Sequence, residues 1–334
     1  SIKSRLTDKH GLYSKRSTKK LINKLNEFEP DVIILINLHG YYVNYEILLR
    51  YLATIDKPVI AILHDCWTFT GHCAYFDFNN CPKWQTGCKD CKFSNAYPRS
   101  LCSNSSLNFK IKEKLFKDIK NLTFVTPSKW LYNLLDYSFL KATNKVLINN
   151  GIDINIFKKN CNSVFRNKYS LQNKKLILCV AYIFDERKGI NDIINLSKML
   201  QNDEVIIIVG KIKGIKKLPK NIIHISQTNN VNELVDIYSS CDVFFNVTYE
   251  DNYPTVNMEA LACELPVVCY DSGGSTEMID RNFVVKQGDI VTSYKLLHDL
   301  FLNKKSYNFE SSKNFSKNIS FSKYRKLLSE VLKK

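Results

Sequence analysis

The sequence lacks the features that mark several classes of protein. No apolar run approaches the ~18 residues that a membrane-spanning helix requires, and the first residues lack the pattern of a secretory leader. Apolar residues make up 45% of the 334 and charged residues 24%, which excludes a disordered, collagen-like or disulfide-dominated chain. The length of 334 residues predicts two domains. The absences predict a cytoplasmic protein that is soluble or attached peripherally to the inner face of the membrane.

Acidic residues are also scarce. The 32 Asp and Glu residues face 48 Lys and Arg residues, which gives a formal net charge of +16 at pH 7. This excess favours an anionic partner such as nucleic acid, an acidic membrane surface or a phosphorylated ligand. The segment 109–122 alternates apolar residues with lysines at helical spacing. That pattern is typical of a helix on an anionic membrane, or of a helix that packs on the core with a solvated lysine face.

Short apolar runs alternate with helical patterns along the chain. The runs that we expect to be strands are 32–36, 58–63, 122–125, 176–180, 205–209, 222–225, 243–247 and 266–269. Strands that are apolar on both faces belong in parallel sheets covered by helices. The pattern therefore predicts an α/β fold of two Rossmann-like, doubly wound domains that face a cleft. We place these domains at 1–152 and 153–312, followed by a helix at 313–334 that packs back on the first domain.

The most informative stretch covers residues 249–277. A predicted strand ends beside it, a helix opens at Thr255 and carries Glu259, and the pair Gly273 and Gly274 follows the next strand. Free N–H groups at a helix N-terminus attract phosphate, and carboxylates accept hydrogen bonds from sugar hydroxyls. On spacing alone, an ordinary strand–helix–strand unit with solvated acids explains the stretch equally well.

This stretch resembles the nucleotide-sugar signature of the family 4 (group 1) glycosyltransferases, which have the GT-B fold. The matching letters are E-D-N-Y-P-T-V-N-M-E-A-L-A-C-E-L-P-V-V, followed by S-G-G-S-T-E. Other segments match in the same order along the chain: H-D-C-W-T-F-T-G-H-C-A-Y, V-T-P-S-K-W, I-N-N-G-I-D-I-N-I-F and D-E-R-K-G. Several spaced motifs in register make the resemblance far more specific than any one of them alone.

The resemblance implies a retaining glycosyltransferase that moves a sugar from a nucleotide-diphosphate sugar to a glycan or lipid-linked acceptor. The implied setting is surface polysaccharide biosynthesis, such as capsule or lipopolysaccharide, with no cofactor required for catalysis. An anionic membrane surface is a further candidate partner, and nucleic acid is not expected. The alternatives are an inactive or truncated homologue of these enzymes, and a basic nucleic-acid-binding protein with a zinc knuckle.

The family's two carboxylates stand eight positions apart, as Asp251 and Glu259 do here. By this resemblance, Glu259 would hold the nucleotide ribose, and Asp251 or its neighbour Glu250 would face the transferred sugar. Lys188 would neutralise the diphosphate with help from Arg187. The remaining donor-binding residues that the resemblance implies are Gly189, Asn252, Tyr253, Pro254, Thr255, Gly273 and Gly274.

In the first half of the chain, His64 resembles the family's histidine near the sugar. The alternative is a structural histidine at the end of a strand. His39 and Tyr41 are acceptor-side candidates. No segment matches the strand and Gly-rich loop with which the family's first domain begins. We therefore expect a first domain that is N-terminally truncated, with exposed edges on its sheet.

Two single positions also depart from the family pattern. Tyr182 stands in the region where the family often has an arginine that contributes to binding the diphosphate. Glu264 stands where the family usually has glycine after the helix. A left-handed conformation there would cost glutamate roughly 1 kcal/mol, so we expect this loop to differ.

The eleven cysteines include six between Cys66 and Cys102. In a long chain of this kind we expect reduced thiols rather than disulfides. Four of the six lie close together in the loop 66–102 and include a C-x-x-C half-site, so they could complete a tetrahedral structural zinc site. They are Cys73, Cys81, Cys88 and Cys91. The alternative is a loop of free thiols.

Overall fold

A computed structural model of the chain describes residues 2–161 and 164–333, which form two compact units. Unit 1 comprises the chain up to Asn149 together with the residues from Ser322 onward. Unit 2 comprises Asn150–Phe321.

The chain passes from one unit to the other between two adjacent asparagines, three residues before the predicted domain boundary. The Asn149 side chain donates to the Pro127 carbonyl oxygen at 2.9 Å, within unit 1. The Asn150 side chain donates to the Tyr253 carbonyl oxygen at 3.4 Å, within unit 2. Each asparagine is therefore tied to its own unit by a side-chain hydrogen bond.

Unit 1 contains a parallel sheet with the strand order β1-β2-β3-β4. Its strands are β1 (Ile33–Ile36), β2 (Val59–Ile62), β3 (Leu122–Thr126) and β4 (Asn144–Leu147). Its first five helices are α1 (Ile2–Thr7), α2 (Lys15–Phe28), α3 (Tyr45–Leu52), α4 (Ser105–Lys117) and α5 (Lys129–Leu134). Helix α4 buries Phe109, Leu115 and Phe116 in the core of the unit. The apolar side of this lysine-rich segment therefore packs inward.

Strand β1 departs from the predicted pattern of a strand covered on both faces. Ile33 and Leu35 are buried, whereas Ile34 and Ile36 are 46% and 45% exposed. A parallel strand with helices on both faces would bury all four side chains. The prediction of full cover is therefore wrong for this strand, which lies at the edge of the sheet.

Unit 2 contains a parallel sheet of six strands in the order β10-β9-β8-β5-β6-β7. Its strands are β5 (Lys175–Phe184), β6 (Glu204–Ile212), β7 (Ile222–Ile225), β8 (Val243–Asn246), β9 (Val267–Tyr270) and β10 (Val284–Val285). Its helices are α6 (Val164–Lys168), α7 (Ile190–Ser197), α8 (Val231–Ser240), α9 (Thr255–Ala262) and α10 (Ile290–Phe301), and α11 (Lys317–Val331) begins in it. Strands β8 and β9 are buried throughout. The two sheets confirm the predicted α/β fold with parallel strands.

Helix α11 starts in unit 2 and ends in unit 1. Its Leu327 packs with Ile60 and Val125 in a cluster of unit 1. The helix begins at Lys317, four residues later than predicted, and Lys334 lies outside the described residues. None of the helices in the described part of the chain has both the length and the apolar character that crossing a bilayer requires.

The strand order of unit 2 reverses between β5 and β8. The chain continues from β5 to β6 and β7 on one side, and then returns to β8, β9 and β10 on the other. Ligands of open α/β sheets bind at such a point, outside the carboxyl ends of the strands. The segments that follow these neighbouring strands are 185–189 after β5, 247–254 after β8 and 271–275 after β9.

Candidate functional site

Two cations and two carboxylates meet where these segments come together in unit 2. The Lys188 ammonium donates to Asp251 Oδ2 at 2.7 Å and to the Glu250 carbonyl oxygen at 3.2 Å. Arg187 Nε lies 3.7 Å from Glu250 Oε2. The structure thus brings together two predicted donor-binding residues, Arg187 and Lys188, with the two candidate catalytic carboxylates. Lys188 and Asp251 are 63 residues apart in the chain.

The two candidate carboxylates differ in exposure. The Glu250 side chain is 3% exposed and the Asp251 side chain 23%. Asn252, which follows them, is buried and donates its N–H to Asp251 Oδ1 at 2.9 Å, and Tyr253 is half-buried. Asp251 is therefore the carboxylate that a ligand can reach, while buried Glu250 is placed to orient Arg187.

Gly189 allows the loop after β5 to pack directly against the end of β8. Its φ is +70°, and a Cβ atom at this position would overlap the Val247 carbonyl oxygen. The Tyr249 N–H also donates to the Arg187 carbonyl oxygen at 3.0 Å. This close backbone contact fixes the position of both cations relative to the Asp251 loop.

Gly273 and Gly274, which the resemblance assigns to donor binding, lie beside the Asp251 backbone. The φ of Gly273 is +50°, and a Cβ atom there would overlap the Asp251 carbonyl oxygen. The Gly274 N–H donates to the same oxygen at 3.3 Å. The pair therefore holds the loop after β9 against the loop that carries Asp251.

Helix α9 opens directly after that loop. Its first residue, Thr255, is exposed, and the preceding Pro254 has no side-chain acceptor to cap the helix. The N–H groups of the first turn and the helix dipole favour an anion at this end. One turn further, Glu259 accepts a hydrogen bond from the Tyr238 hydroxyl at 3.0 Å. Burial raises the pKa of the Glu259 carboxyl, and the bond from Tyr238 opposes that rise.

Asp192 supports the site and was not singled out by the sequence. This α7 residue accepts hydrogen bonds from the Tyr249 hydroxyl at 2.7 Å and from the Tyr270 hydroxyl at 3.0 Å. Burial, together with the Asp192 carboxylate, raises the pKa of Tyr249 to about 12. Asp192 thereby ties the loop after β8 to the end of β9. An acidic residue in the first turn of a helix is common, so the sequence carried no signal for this role.

The two departures from the family pattern have different outcomes. Tyr182 is 81% exposed, and Lys211 Nζ lies 5.5 Å from the centre of its ring, so no arginine charge is supplied at this position. Glu264 adopts a φ of +54°. The expectation that its loop differs is therefore wrong. Backbone hydrogen bonds hold the turn, since the N–H of Leu265 donates to the Ala260 carbonyl oxygen at 2.9 Å.

In unit 1, His39 and His64 line one cavity of about 20 Å³ at the carboxyl ends of β1 and β2. Asp65 lines it too, with Oδ2 at 3.5 Å from His39 Nε2 and with Oδ1 accepting the Trp67 N–H at 2.9 Å. Desolvation lowers the pKa of both histidines, and Asp65 opposes this effect. The lowered pKa values favour the neutral rings, and a neutral imidazole can hydrogen-bond a hydroxyl group. The sequence gave Asp65 no role.

Tyr41 is not among the residues that line this cavity. Its hydroxyl lies 3.3 Å from His10 Nδ1, at the margin of a buried polar network. Within the network, His10 Nε2 lies 2.7 Å from Ser100 Oγ, and His72 Nδ1 lies 2.5 Å from Asp8 Oδ1. Desolvation lowers the pKa of His10 to about 4. The sequence could not indicate this network, because its members are up to 92 residues apart.

The four cysteines that the sequence predicts as zinc ligands line one cavity of about 20 Å³ in unit 1. None of the eleven cysteines, all of which are described, is in a disulfide. Among the described residues, one set of potential metal ligands has all its ligand atoms within 4.8 Å of one another, namely Asp8, His10 and His72. The four sulfur atoms thus share a cavity, but they are further apart than in a zinc–thiolate tetrahedron.

Comparisons with known proteins show which family residues 162–320 resemble. Residues 162–320 match the family model described as Glycosyl transferases group 1. Among curated proteins, Escherichia coli K12 WcaC, named as a colanic acid biosynthesis glycosyl transferase, is 24% identical over 260 residues. The match covers 76% of this chain and 63% of WcaC, so the chain spans less than two thirds of the length of that relative.

Two solved structures have the same fold. Anabaena HepE in complex with UDP has a TM-score of 0.69 at 15% identity, over 94% of this chain and 82% of HepE. Sucrose-phosphate synthase from Thermosynechococcus elongatus has a TM-score of 0.69 at 16% identity, over 95% and 78% of the two chains. These likenesses confirm the fold that the sequence resemblance implied. Residues 162–320 thus resemble the group 1 glycosyl transferases, and the chain has the fold of the GT-B glycosyltransferases.

Proposed function

We propose that the chain is a retaining glycosyltransferase that transfers a sugar from a nucleotide-diphosphate sugar to a glycan or lipid-linked acceptor. The observation that carries the proposal is the pair Arg187 and Lys188, placed with Asp251 beside the N-terminus of α9 in the group 1 domain. The name of WcaC refers to colanic acid biosynthesis, and HepE was solved with UDP. The name of WcaC supports a role in the biosynthesis of a surface polysaccharide, and the UDP complex of HepE supports a nucleotide-sugar donor.

The cations would stabilise the leaving group. Cleavage of the donor's sugar–phosphate bond builds negative charge on the diphosphate, and preorganised positive charge at that point lowers the barrier. Lys188, Arg187 and the α9 dipole supply this charge from positions fixed by Gly189. Asp251 holds the Lys188 ammonium at 2.7 Å, so a bound diphosphate would share this cation with the carboxylate.

The carboxylates would hold the two ends of the donor. Glu259 is anchored by Tyr238 and can accept hydrogen bonds from ribose hydroxyls. Asp251 is the more exposed of the two adjacent acids and would face the transferred sugar. In unit 1, His64 is the candidate catalytic histidine for the transferred sugar, and His39 would hydrogen-bond a hydroxyl of the acceptor. We place the reaction in the cytoplasm, at the inner face of the membrane when the acceptor is lipid-linked.

Calorimetric titration of the full chain with UDP, GDP, ADP and dTDP, each compared with its nucleoside, tests the site. For the diphosphate that binds, Lys188→Ala should weaken affinity at least tenfold and leave the affinity of the matching nucleoside unchanged. Lys198→Ala, on the exposed C-terminal end of α7, is the matched control and should change neither. Equal losses for diphosphate and nucleoside would show that Lys188 does not contact the phosphates.

Glu259→Ala tests the other end of the donor. Loss of a ribose-binding carboxylate should cost roughly 1.5–3 kcal/mol of binding for diphosphate and nucleoside alike. Wild-type donor affinity in this variant would contradict the assignment of Glu259. The stereochemistry is tested separately by NMR of the product: an α-linked donor should give an α-linked product, and an inverted product would rule out retention.

A further inference from the structure

The chain between β2 and α4 forms a long segment with little regular structure. Within residues 63–104, the structure has the short 3-10 turns Trp67–Phe69 and Lys83–Gln85. Long connections of this kind in compact domains are uncommon unless a function or a cross-link orders them. The segment is nevertheless packed, since Phe76 stacks on Trp84 with ring centres 4.8 Å apart and both are buried.

Four cysteines converge on the space beside these rings. Cys73, Cys81, Cys88 and Cys91 all line the same cavity of about 20 Å³. A cavity of this size holds one water-sized sphere, which takes up about 10–15 Å³ of such volume. Cys73 and Cys88 are buried, whereas Cys81 and Cys91 are partly buried. The cavity thus matches a single ion surrounded by four sulfur ligands.

One of the four sulfurs already has the kind of contact that orients a metal-binding thiolate. The Gly71 N–H donates to Cys88 Sγ at 3.1 Å. Such outer hydrogen bonds fix ligand orientation at metal sites. Gly71 has no room for a side chain, because a Cβ atom would overlap the Ser105 carbonyl oxygen. The contact is therefore built into the packing of the loop against α4.

A buried lysine lies on α4, the helix against which this loop packs. Lys112 is 0% exposed, donates to the Trp67 carbonyl oxygen at 2.5 Å and lies 3.8 Å above the centre of the Trp67 ring. Within the described residues, no carboxylate lies within 4.0 Å of its ammonium. Burial lowers the pKa of the Lys112 ammonium to about 7, and Cys88, Cys73, Asp8 and Asp65 oppose this fall. Negative charge at Cys73 and Cys88 would therefore stabilise the ammonium form of this buried lysine.

We propose that Cys73, Cys81, Cys88 and Cys91 bind one structural Zn²⁺ that fastens this segment to unit 1. Binding replaces the four thiol protons with the metal, and the resulting tetrathiolate centre carries a net charge of −2 beside Lys112. In such a centre the Zn–S bonds are about 2.3 Å and neighbouring sulfurs are about 3.8 Å apart. Zinc would therefore draw the sulfurs inward, mainly those of the less buried Cys81 and Cys91. All four positions of the metal are filled, so it cannot bind substrate.

The buried set Asp8, His10 and His72 is the competing metal site, because its ligand atoms are already close together. Its polar atoms have other partners, however. Asp8 accepts from Ser100 Oγ at 3.3 Å and from the Asn104 N–H at 2.8 Å. The set is thus a hydrogen-bonded connection between the N-terminal segment and the loop.

Elemental analysis of the purified full chain, expressed with added zinc, is the test. We expect about one equivalent of zinc in the wild type and in Cys102→Ser, a matched control in the same loop whose cysteine does not line the cavity. Cys91→Ser should lose the metal, whereas Cys91→His should keep it because Cys₃His is an ordinary zinc site. Trp84 fluorescence should change when a chelator removes the metal.

The outcomes separate the alternatives even if a cysteine variant fails to fold. In the wild type, a mercurial reagent should release zinc in step with the modification of four thiols, as followed by a zinc-binding dye. Metal-free wild type would overturn the proposal, as would zinc retention in Cys91→Ser. If His10→Asn loses the zinc and Cys91→Ser keeps it, the metal belongs to the competing site, and the cysteine proposal is wrong.

Discussion

The two units use the same kind of parallel sheet but build their candidate sites in different ways. In unit 2, short segments after β5, β8 and β9 converge at the point where the strand order reverses. In unit 1, the corresponding region depends on the long segment 63–104 and on contacts such as Asp8 with His72, 64 residues apart. A site made by short loops at strand ends is specified by local sequence, whereas a site made by a long loop depends on distant partners.

The positions of the tryptophans allow the stability of the two units to be measured separately. Trp67, Trp84 and Trp130 are the three tryptophans of the chain, and all lie in unit 1. Tryptophan fluorescence therefore reports the unfolding of unit 1, while far-UV circular dichroism reports both units. A substitution that affects one unit should shift one signal more than the other.

The largest effect is expected in unit 1. Asp8→Ala removes the buried carboxylate that accepts hydrogen bonds from His72, Ser100 and the Asn104 N–H. Breaking a buried pair by deleting one partner costs about 3–5 kcal/mol, so urea unfolding followed by tryptophan fluorescence should shift by that amount. Asp31→Ala, at an exposed position of the same unit, is the control. A loss below about 1 kcal/mol would show that the network does not hold unit 1 together.

The next effect belongs to unit 2. Gly189→Ala introduces a Cβ atom against the Val247 backbone at a φ of +70°, and overpacking with backbone strain should cost about 2–3 kcal/mol. Gly214→Ala is a matched control, because Gly214 also has a positive φ, of +84°, but has open space around its Cβ position. The circular dichroism transition should shift further for Gly189→Ala, with weaker binding of the nucleoside diphosphate. Equal shifts in the two variants would mean that the contact with β8 is unimportant.

The third effect is a pH dependence confined to unit 1. Burial lowers the pKa of His10 from 6.5 to about 4 on folding. Asp8 opposes this fall, and His72 and His39 add to it. Between these values the unfolded chain binds a proton that the folded chain does not, so stability falls as the pH is lowered. The contribution from pH 7 to pH 5 is about 2 kcal/mol. His10→Asn should flatten the dependence seen by tryptophan fluorescence, and an unchanged slope would contradict the assignment.

The smallest effect is a gain in unit 2. Glu264→Gly relieves a positive φ of +54° and should stabilise the turn between α9 and β9 by up to about 1 kcal/mol. The substitution also removes an exposed ion pair of 3.6 Å with Lys159, so Lys159→Ala serves as the correction. Thermal unfolding followed by circular dichroism measures both variants. If Glu264→Gly still destabilises the protein after the effect of Lys159→Ala has been subtracted, Glu264 is not strained.

The predicted strands illustrate how much of the fold is readable from local sequence. Apolar runs placed β2 at 58–63 and β8 at 243–247, each within one residue of its observed end. β4 (Asn144–Leu147) was missed, because two of its four residues are polar and its identity depends on pairing with β3. The position of β1 was predicted correctly, but its burial on both faces was not. The exposure of Ile34 depends on which segments pack against that face of the sheet.

For the candidate donor residues too, the motifs can be read from the local sequence, whereas their arrangement depends on the tertiary structure. The motif around Glu259 and the Lys-Gly step at Lys188 are contiguous in the chain, so their sequence alone indicated the chemistry. Their grouping was decided by the order of β5 and β8 in the sheet, which places Lys188 beside Asp251. The support from Asp192 depends on the same tertiary arrangement, since Tyr249 follows β8 and Tyr270 ends β9.

The sequence by itself determined the alternation of strands and helices, the group 1 motif and the set of cysteines, because each is carried by residues close together in the chain. Only the tertiary structure decided which carboxylate is accessible, that Tyr41 meets His10, and that Lys112 lies buried against the Trp67 ring. Exposure and electrostatic environment depend on every segment packed around a group. Most of those segments are distant in sequence, so no local pattern could reveal them.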